Sequence, residues 1–339
     1  MKKAIFVSFA LLFLFFCTSC TKTKPRELDF FAMDTAIHLQ VFGEAAEETA
    51  KEMQSQVFAI DAALNRHSNT SAVSALNRGE AIDSDTAHVS ALLPLCLTIC
   101  EATDGAFEPT MAALSDAWQF TSDSPSVPSE ATLRRLLKNV GLREHPPLIT
   151  EETISTAQNV QLDFGAIAKG YTLNCLFKTM QEAHCAGTLD LGGEICVVGK
   201  KSDGSPWRVG IKDPRAGDQL LAILSLSDRF VATSGAYERY FERDGIRYHH
   251  ILDPKTGKPA QSGLISVTVV GEDGAWADAL STALFVLGED GAKTLQTALA
   301  ETHPFEYVLV SEDDRVIVSR GLAEIFTLQN GDYTVKTAK

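Results

Sequence analysis

The chain has 339 residues, 45% apolar and 22% charged, the balance of a folded globular protein with ample length for a core, and not of a disordered one. Its formal charge is −14, which excludes nucleic acid as the main partner, because binding a phosphate backbone needs an excess of Lys and Arg. An anionic small molecule stays admissible where a local cation or a metal receives it.

In chain order, "MKK" is followed by the apolar run Ala4 to Phe16, too short to span a bilayer and of signal-peptide length. The run ends in "CTSC". This resembles a bacterial lipobox, with Cys17 standing where the usual pattern has Leu. The expectation is a signal peptide over residues 1–19, lipidation at Cys20 and a polar tether over 20–27. The rest, residues 28–336, reads as one catalytic domain held by lipid to the inner membrane and facing the periplasm; plain cleavage nearby is the alternative. Disulfides are permitted outside the cytoplasm. The five cysteines after Cys20 are odd in number and match no metal-knuckle spacing, so no disulfide framework is expected. Cys96 and Cys100, one helical turn apart, read as packed thiols.

Leu28 to Phe42 alternates like a strand with "MDT" in its middle. An amphipathic helix, "AEETAKEMQSQVFAIDAALNRHS", and a short helical "AVSALNRG" follow. "DTAHVSALLPLCLTICEATDG" predicts a second long helix containing Pro94 and closed by an Asp104-Gly105 turn. After the Ser/Pro loop "TSDSPSVPSE", Ser129 is the expected N-cap of the next helix. "VQLDFG" predicts a short strand entering a helix that begins near Ala166. The second half is mostly strands and hairpins, interrupted by "AWADALSTALF", which repeats at helical spacing. Antiparallel hairpins with long helices predict an α+β domain, an antiparallel sheet core with helices packed on it.

Four places carry chemistry. In "LDFGAIAKGY", Gly165 permits a turn, and the free N–H groups of the first helical turn beside Lys169 suit phosphate oxygens. Asp163 would repel phosphate there unless it faces a hydroxyl, a base edge or a cation. A capped turn with Lys169 at the surface explains the same residues. In "AWADALSTALF", Asp278 and Thr282 lie one turn apart on a helix that is apolar almost all round; a carboxylate and a hydroxyl are hard oxygen ligands suited to Mg²⁺. A buried Asp bonded to a helix N-terminus is the plain alternative. In "RYHHILDP", alternation sends His249 and His250 to opposite faces, so one of them can serve a site as a base. Thr233 and Ser234, in "VATSG", are further hydroxyls for phosphate or ribose. No Walker A or G-x-G-x-x-G pattern is present.

Nine blocks in order, among them "FFAMDT", "DGAFEPTMAAL", "LDFGAIAKGY", "LDLGGEICVVG", "VATSGAYERYF", "RYHHILDPKTG" and "ADALSTALFVLG", resemble the ApbE family of FAD:protein FMN transferases from about Phe30 to Phe326. The resemblance implies an ApbE-like, T-fold-like domain that moves FMN from FAD onto a Thr or Ser hydroxyl of an acceptor flavoprotein and releases AMP. It carries FAD contacts over to Met33, His67, Ala106, Phe107, Glu108, Asp163, Lys169 and Ile251. Magnesium ligands carry over to the backbone carbonyl of Ala166 and the side chains of Asp278 and Thr282, and the candidate base to His250, with Lys169 assisting. Thr233 and Ser234 are expected to position phosphate. Three positions depart from the usual pattern: Asp34 replaces Gly, His67 replaces Tyr and Glu108 replaces Asp. Hydrolysis of FAD to FMN and AMP by the same machinery, or FAD binding by a non-catalytic lipoprotein, are the rival readings.

Overall fold

The computed structural model describes residues 24–338; the expected signal segment and Cys20 lie outside them. No described helix is long and apolar enough to cross a membrane.

Strand β1 (Arg26–Ala32) turns directly into β2 (Thr35–Phe42), so the expected single strand is a hairpin. Ala32 pairs with Thr35, and the two residues between them, Met33 and Asp34, take φ of 51° and 59°. That left-handed pair is the geometry of a tight hairpin turn, which alternation along a sequence does not register. Helices α1 (Ala46–Leu64), α2 (Ala72–Asn77), α3 (Val89–Ala102), α4 (Ala112–Trp118) and α5 (Glu130–Leu136) follow, with a small sheet formed by β3 (Ile82–Asp83), β4 (Leu148–Ile149) and β5 (Thr153–Ser155). Ser129 caps α5 by accepting from the N–H of Thr132 at 3.2 Å, as expected.

Helix α6 (Ala168–Glu182) leads to β6 (Ala186–Leu191), β7 (Glu194–Val198), β8 (Trp207–Lys212), β9 (Leu220–Leu226) and β10 (Arg229–Gly235). The hairpin β11 (Tyr240–Arg243) and β12 (Ile246–His249) precedes β13 (Leu264–Gly271) and helix α7 (Gly274–Ala298), which breaks at Gly288, where φ is 73°. Strands β14 (Phe305–Ser311), β15 (Arg315–Val318), β16 (Phe326–Leu328) and β17 (Thr334–Thr337) complete the chain. No strand forms over "VQLDFG". The Asn77 amide instead bonds both the N–H and the carbonyl of Leu162, at 2.6 and 2.9 Å, satisfying them as a neighbouring strand would.

Nine strands form one sheet in the order β1-β2-β6-β7-β10-β13-β14-β15-β17, antiparallel throughout except for β15 with β17. One face carries α1, α3, α6 and α7 over the main core. The opposite face of its central strands is covered by the sheet β16-β9-β8, closing a second core of Val197, Val231, Val270, Val308 and Val310 with Trp207 and Leu224. A third cluster joins α4 and α5 to the β11–β12 hairpin through Trp118, which lies 5.6 Å from Phe120 and 5.5 Å from Tyr248 between ring centroids. Cys96 and Cys100 are buried free thiols.

Candidate functional site

The site is built where α6 and α7 cross. A Cβ on Gly170 would overlap the carbonyl oxygen of Gly274, and one on Gly274 would sit 2.8 Å from the Phe230 ring. Only glycines let the two backbones come this close. The Asn174 side chain locks the crossing, accepting from the N–H of Gly274 at 2.6 Å and donating to Asp273 at 2.9 Å. Asp273 in turn caps α7 through the N–H of Trp276. Asp278, one turn into α7, is thereby brought against the start of α6, where its Oδ2 accepts from the N–H of Gly170 at 2.8 Å.

That hydrogen bond has a consequence at Ala166. Helix α6 begins at Ala168, two residues later than expected, because Ile167 sits at φ −150°. The N–H of Gly170 goes to Asp278, and among the described residues no hydrogen bond reaches the carbonyl oxygen of Ala166. Thr282, one turn beyond Asp278, shares its hydroxyl with Ser234 at 3.2 Å, and Ser234 also meets Ser281 at 2.7 Å. A free carbonyl, a carboxylate and a hydroxyl therefore border one cleft. Among the described residues no group of three or more His, Cys, Asp or Glu is placed to hold a metal. The set present is the small, all-oxygen one that suits Mg²⁺, which keeps waters and takes substrate phosphate oxygens. The residues fit the ion.

The electrostatics agree with that fit. Asp278 is 3% exposed and Glu194 is 5% exposed, and both are served by one cation, Lys169, which is ion-paired with Glu194. Burial raises both the Asp278 and the Glu194 carboxyls above the usual carboxylate range, against the pull of Lys169. For Lys169, burial acts downward, but the charges of Glu194 and Asp278 outweigh it and hold the ammonium above its ordinary value. Two buried acids with one Lys between them leave room for a further positive charge.

The cleft has a volume of about 650 Å³, within the range of small-molecule and cofactor pockets. It is lined by Met33, His67, Ala106, Glu108, Asp163, Ala166, Lys169, Thr233, Ser234, His250, Ile251, Asp278 and Thr282. Of the residues expected at the site, Phe107 is the exception: it is 1% exposed, packed in the main core and absent from the cleft wall. Its neighbours Ala106 and Glu108 bracket it, so the loop presents alternate residues to the cleft. Glu108 is largely engaged within the protein, accepting from Thr110 at 2.7 Å and from the N–H of Leu142 at 3.0 Å. Thr233 bonds Thr268 at 2.9 Å, and Ser234 steadies Thr282.

His249 and His250 do point apart. His249 bonds the carbonyl of Ala260 at 3.1 Å and lies edge-on to Phe285, whereas His250 faces the cleft. Its Nδ1 lies 3.2 Å from the carbonyl oxygen of Arg239. A carbonyl only accepts, so Nδ1 carries the proton and Nε2 is left as a free acceptor. Burial and the neighbouring Arg239 charge push the imidazole down to about 4, so it is neutral near pH 7.

Several cleft residues had no signal in the sequence. Arg66 bridges Asp163 at 2.9 Å and Asp116 at 2.8 Å, which gives Asp163 the cation that its place near a phosphate site requires. Asp61 accepts from the N–H of Met33 at 3.2 Å and holds the β1–β2 turn over the cleft. Arg239 reaches across to Asp34 at 2.8 Å. These partners lie 28 to 205 positions apart in the chain, beyond the reach of local spacing.

Residues 33–304 match the family model described as the ApbE family. A protein of Treponema pallidum named FAD:protein FMN transferase is 36% identical over 299 residues, covering 83% of this chain and 80% of that protein. One of Haemophilus influenzae with the same name is 28% identical, covering 94% and 96%. Among solved structures, the ApbE protein of Thermotoga maritima superposes with a TM-score of 0.82 at 32% identity over 89% of this chain and 99% of that one. The apo flavinyl transferase ApbE of Pseudomonas stutzeri gives 0.76 at 28%, over 91% and 98%. With that match spanning most of its length, the chain belongs to the ApbE family.

Proposed function

We propose that the chain is a FAD:protein FMN transferase, moving FMN from FAD onto a Thr or Ser hydroxyl of an acceptor flavoprotein and releasing AMP. One observation carries the reading. The Ala166 carbonyl, the Asp278 carboxylate and the Thr282 hydroxyl share a cleft of cofactor size with a neutral His250, and among the described residues no hydrogen bond takes up the Ala166 oxygen or the His250 Nε2.

Ala166, Asp278 and Thr282 would hold Mg²⁺, which when bound neutralises charge on the diphosphate. His250 takes the proton from the acceptor hydroxyl on Nε2 as the new O–P bond to FMN forms and the P–O bond to AMP breaks. The Arg239 carbonyl keeps the imidazole in the tautomer this needs. Lys169 lines the same cleft and adds a positive charge beside it. Met33, His67, Ala106, Asp163 and Ile251 form the wall offered to the rest of FAD.

Anchoring through Cys20 at the inner membrane, facing the periplasm, is part of the proposal and rests on the sequence alone. Detergent phase partitioning of the intact chain against its Cys20→Ala variant tests it; equal partitioning of both into the aqueous phase would refute it.

The activity is tested by incubating the protein with FAD, Mg²⁺ and a candidate acceptor, and reading intact masses alongside free nucleotides. An FMN-sized adduct with one AMP released per adduct is expected, abolished by EDTA and by Asp278→Ala. Free FMN and AMP in equal amounts with no adduct on any flavoprotein acceptor would make the protein an FAD pyrophosphatase. Unchanged FAD with tight binding would make it a carrier.

A further inference from the structure

Among the described residues the cleft wall contains eight carboxylate side chains and, besides two histidines, three basic ones, Arg66, Lys169 and Arg239. Each of the three is already paired with a carboxylate. Arg66 is held by both Asp116 and Asp163, and its side chain is 14% exposed. Lys169 is held by Glu194, whose side chain is 7% exposed. Taking either cation away would strand a shielded carboxylate or break two bonds at once, and an unpaired buried charge is costly. Arg239 differs: its side chain is 49% exposed, and that of its partner Asp34 is 76% exposed. Such pairs add little net stability, because both members keep their water when they part.

We propose that Arg239 is the exchangeable cation of this cleft. It leaves Asp34 to bind the diphosphate of FAD, and Asp34 competes with the substrate for it. The inference rests on the assignment of FAD as substrate. Asp34 belongs to the two-residue β1–β2 turn, and Arg239 lies between β10 and β11, so the pair joins two edges of the cleft. The backbone of Arg239 has a second task. Its carbonyl accepts from the N–H of His250 at 3.0 Å and from Nδ1 at 3.2 Å. One residue thus connects the phosphate-seeking guanidinium with the seat of the base, and a side-chain substitution removes the first while leaving the second.

The test measures FAD affinity by flavin fluorescence, with Mg²⁺ and in EDTA, together with the inhibition constant of riboflavin, which has the same ring and no phosphate. Arg239→Gln is expected to weaken FAD by roughly 10-fold, as loss of a charge-assisted contact does, and to leave riboflavin within about twofold. Arg239→Lys should recover part of the loss. Asp34→Asn, which keeps a residue tolerant of the turn, should tighten FAD by about threefold, and this gain should vanish in the Arg239→Gln background, since coupled residues are non-additive. A gain of equal size in both backgrounds would overturn the proposal, because it would then report only a carboxylate repelling an anion. FAD affinity unmoved by Arg239→Gln would overturn it too, while sparing the transferase reading. Failure of the unaltered protein to bind FAD at all would sink both.

Discussion

His250 is the residue whose environment says most about the chemistry. Its free Nε2 needs no deprotonation step before it accepts a proton at neutral pH, since burial and Arg239 hold the ring at about 4. His250→Gln should keep FAD binding and lower the transfer rate by ~10²-fold or more, the usual scale for a lost general base; burst kinetics with saturating acceptor would measure it. The same shift has a stability sign. In the unfolded chain a histidine binds its proton near pH 6.5, whereas folded His250 waits until about 4. Unfolding therefore takes up a proton over that window, and stability falls as pH drops from 6.5 toward 4. The loss at this position is at most about 3 kcal/mol. Denaturant unfolding at pH 7 and pH 5 should show a smaller acid loss in His250→Gln than in the unaltered protein. An identical loss in both would mean that the ring titrates normally.

At the scale of elements, the decisive contact is the crossing of α6 and α7. Neither glycine is required by its own helix; each is required by the other's backbone. Gly274→Ala should cost about 1–3 kcal/mol, typical of overpacking, and should also pull Asp278 off the N–H of Gly170. The expected readout is a lowered melting temperature plus a weakened apparent Mg²⁺ affinity that persists at temperatures where the variant is fully folded. A stability loss with metal dependence unchanged would show that the crossing does not position the carboxylate. This crossing also marks where reading the sequence stops. Asp278 and Thr282 could be set on one face from their spacing alone, and His249 and His250 on opposite faces from strand alternation, because both inferences use short-range periodicity. The late start of α6, which frees the Ala166 carbonyl, depends on a partner 108 positions away. The left-handed turn at Met33 and Asp34 was hidden inside an unbroken alternation. Phe107 shows the reverse: a resemblance can assign a loop to the cleft, yet only packing decides which of its side chains face it.

Across the whole molecule, the charge of −14 and the acid-rich cleft set the terms on which an anionic dinucleotide arrives. Enzymes for phosphorylated substrates often gather positive potential around the mouth, so that added salt slows association. Here every basic residue of the cleft is matched by a carboxylate, and in EDTA the diphosphate approaches a surface of its own sign. Salt should therefore help. Stopped-flow fluorescence in EDTA is expected to show FAD association rising by roughly two- to threefold between about 20 and 200 mM NaCl, as the Debye length shrinks from about 20 Å to below 10 Å. Saturating Mg²⁺ should flatten or reverse that slope, because an ion held beside Asp278 would add positive charge to a wall that has more acids than bases. A rate that falls with salt in EDTA would place an unpaired positive field at the mouth, contrary to the pairing of Arg66, Lys169 and Arg239, and would argue that the cleft receives the diphosphate without a divalent ion.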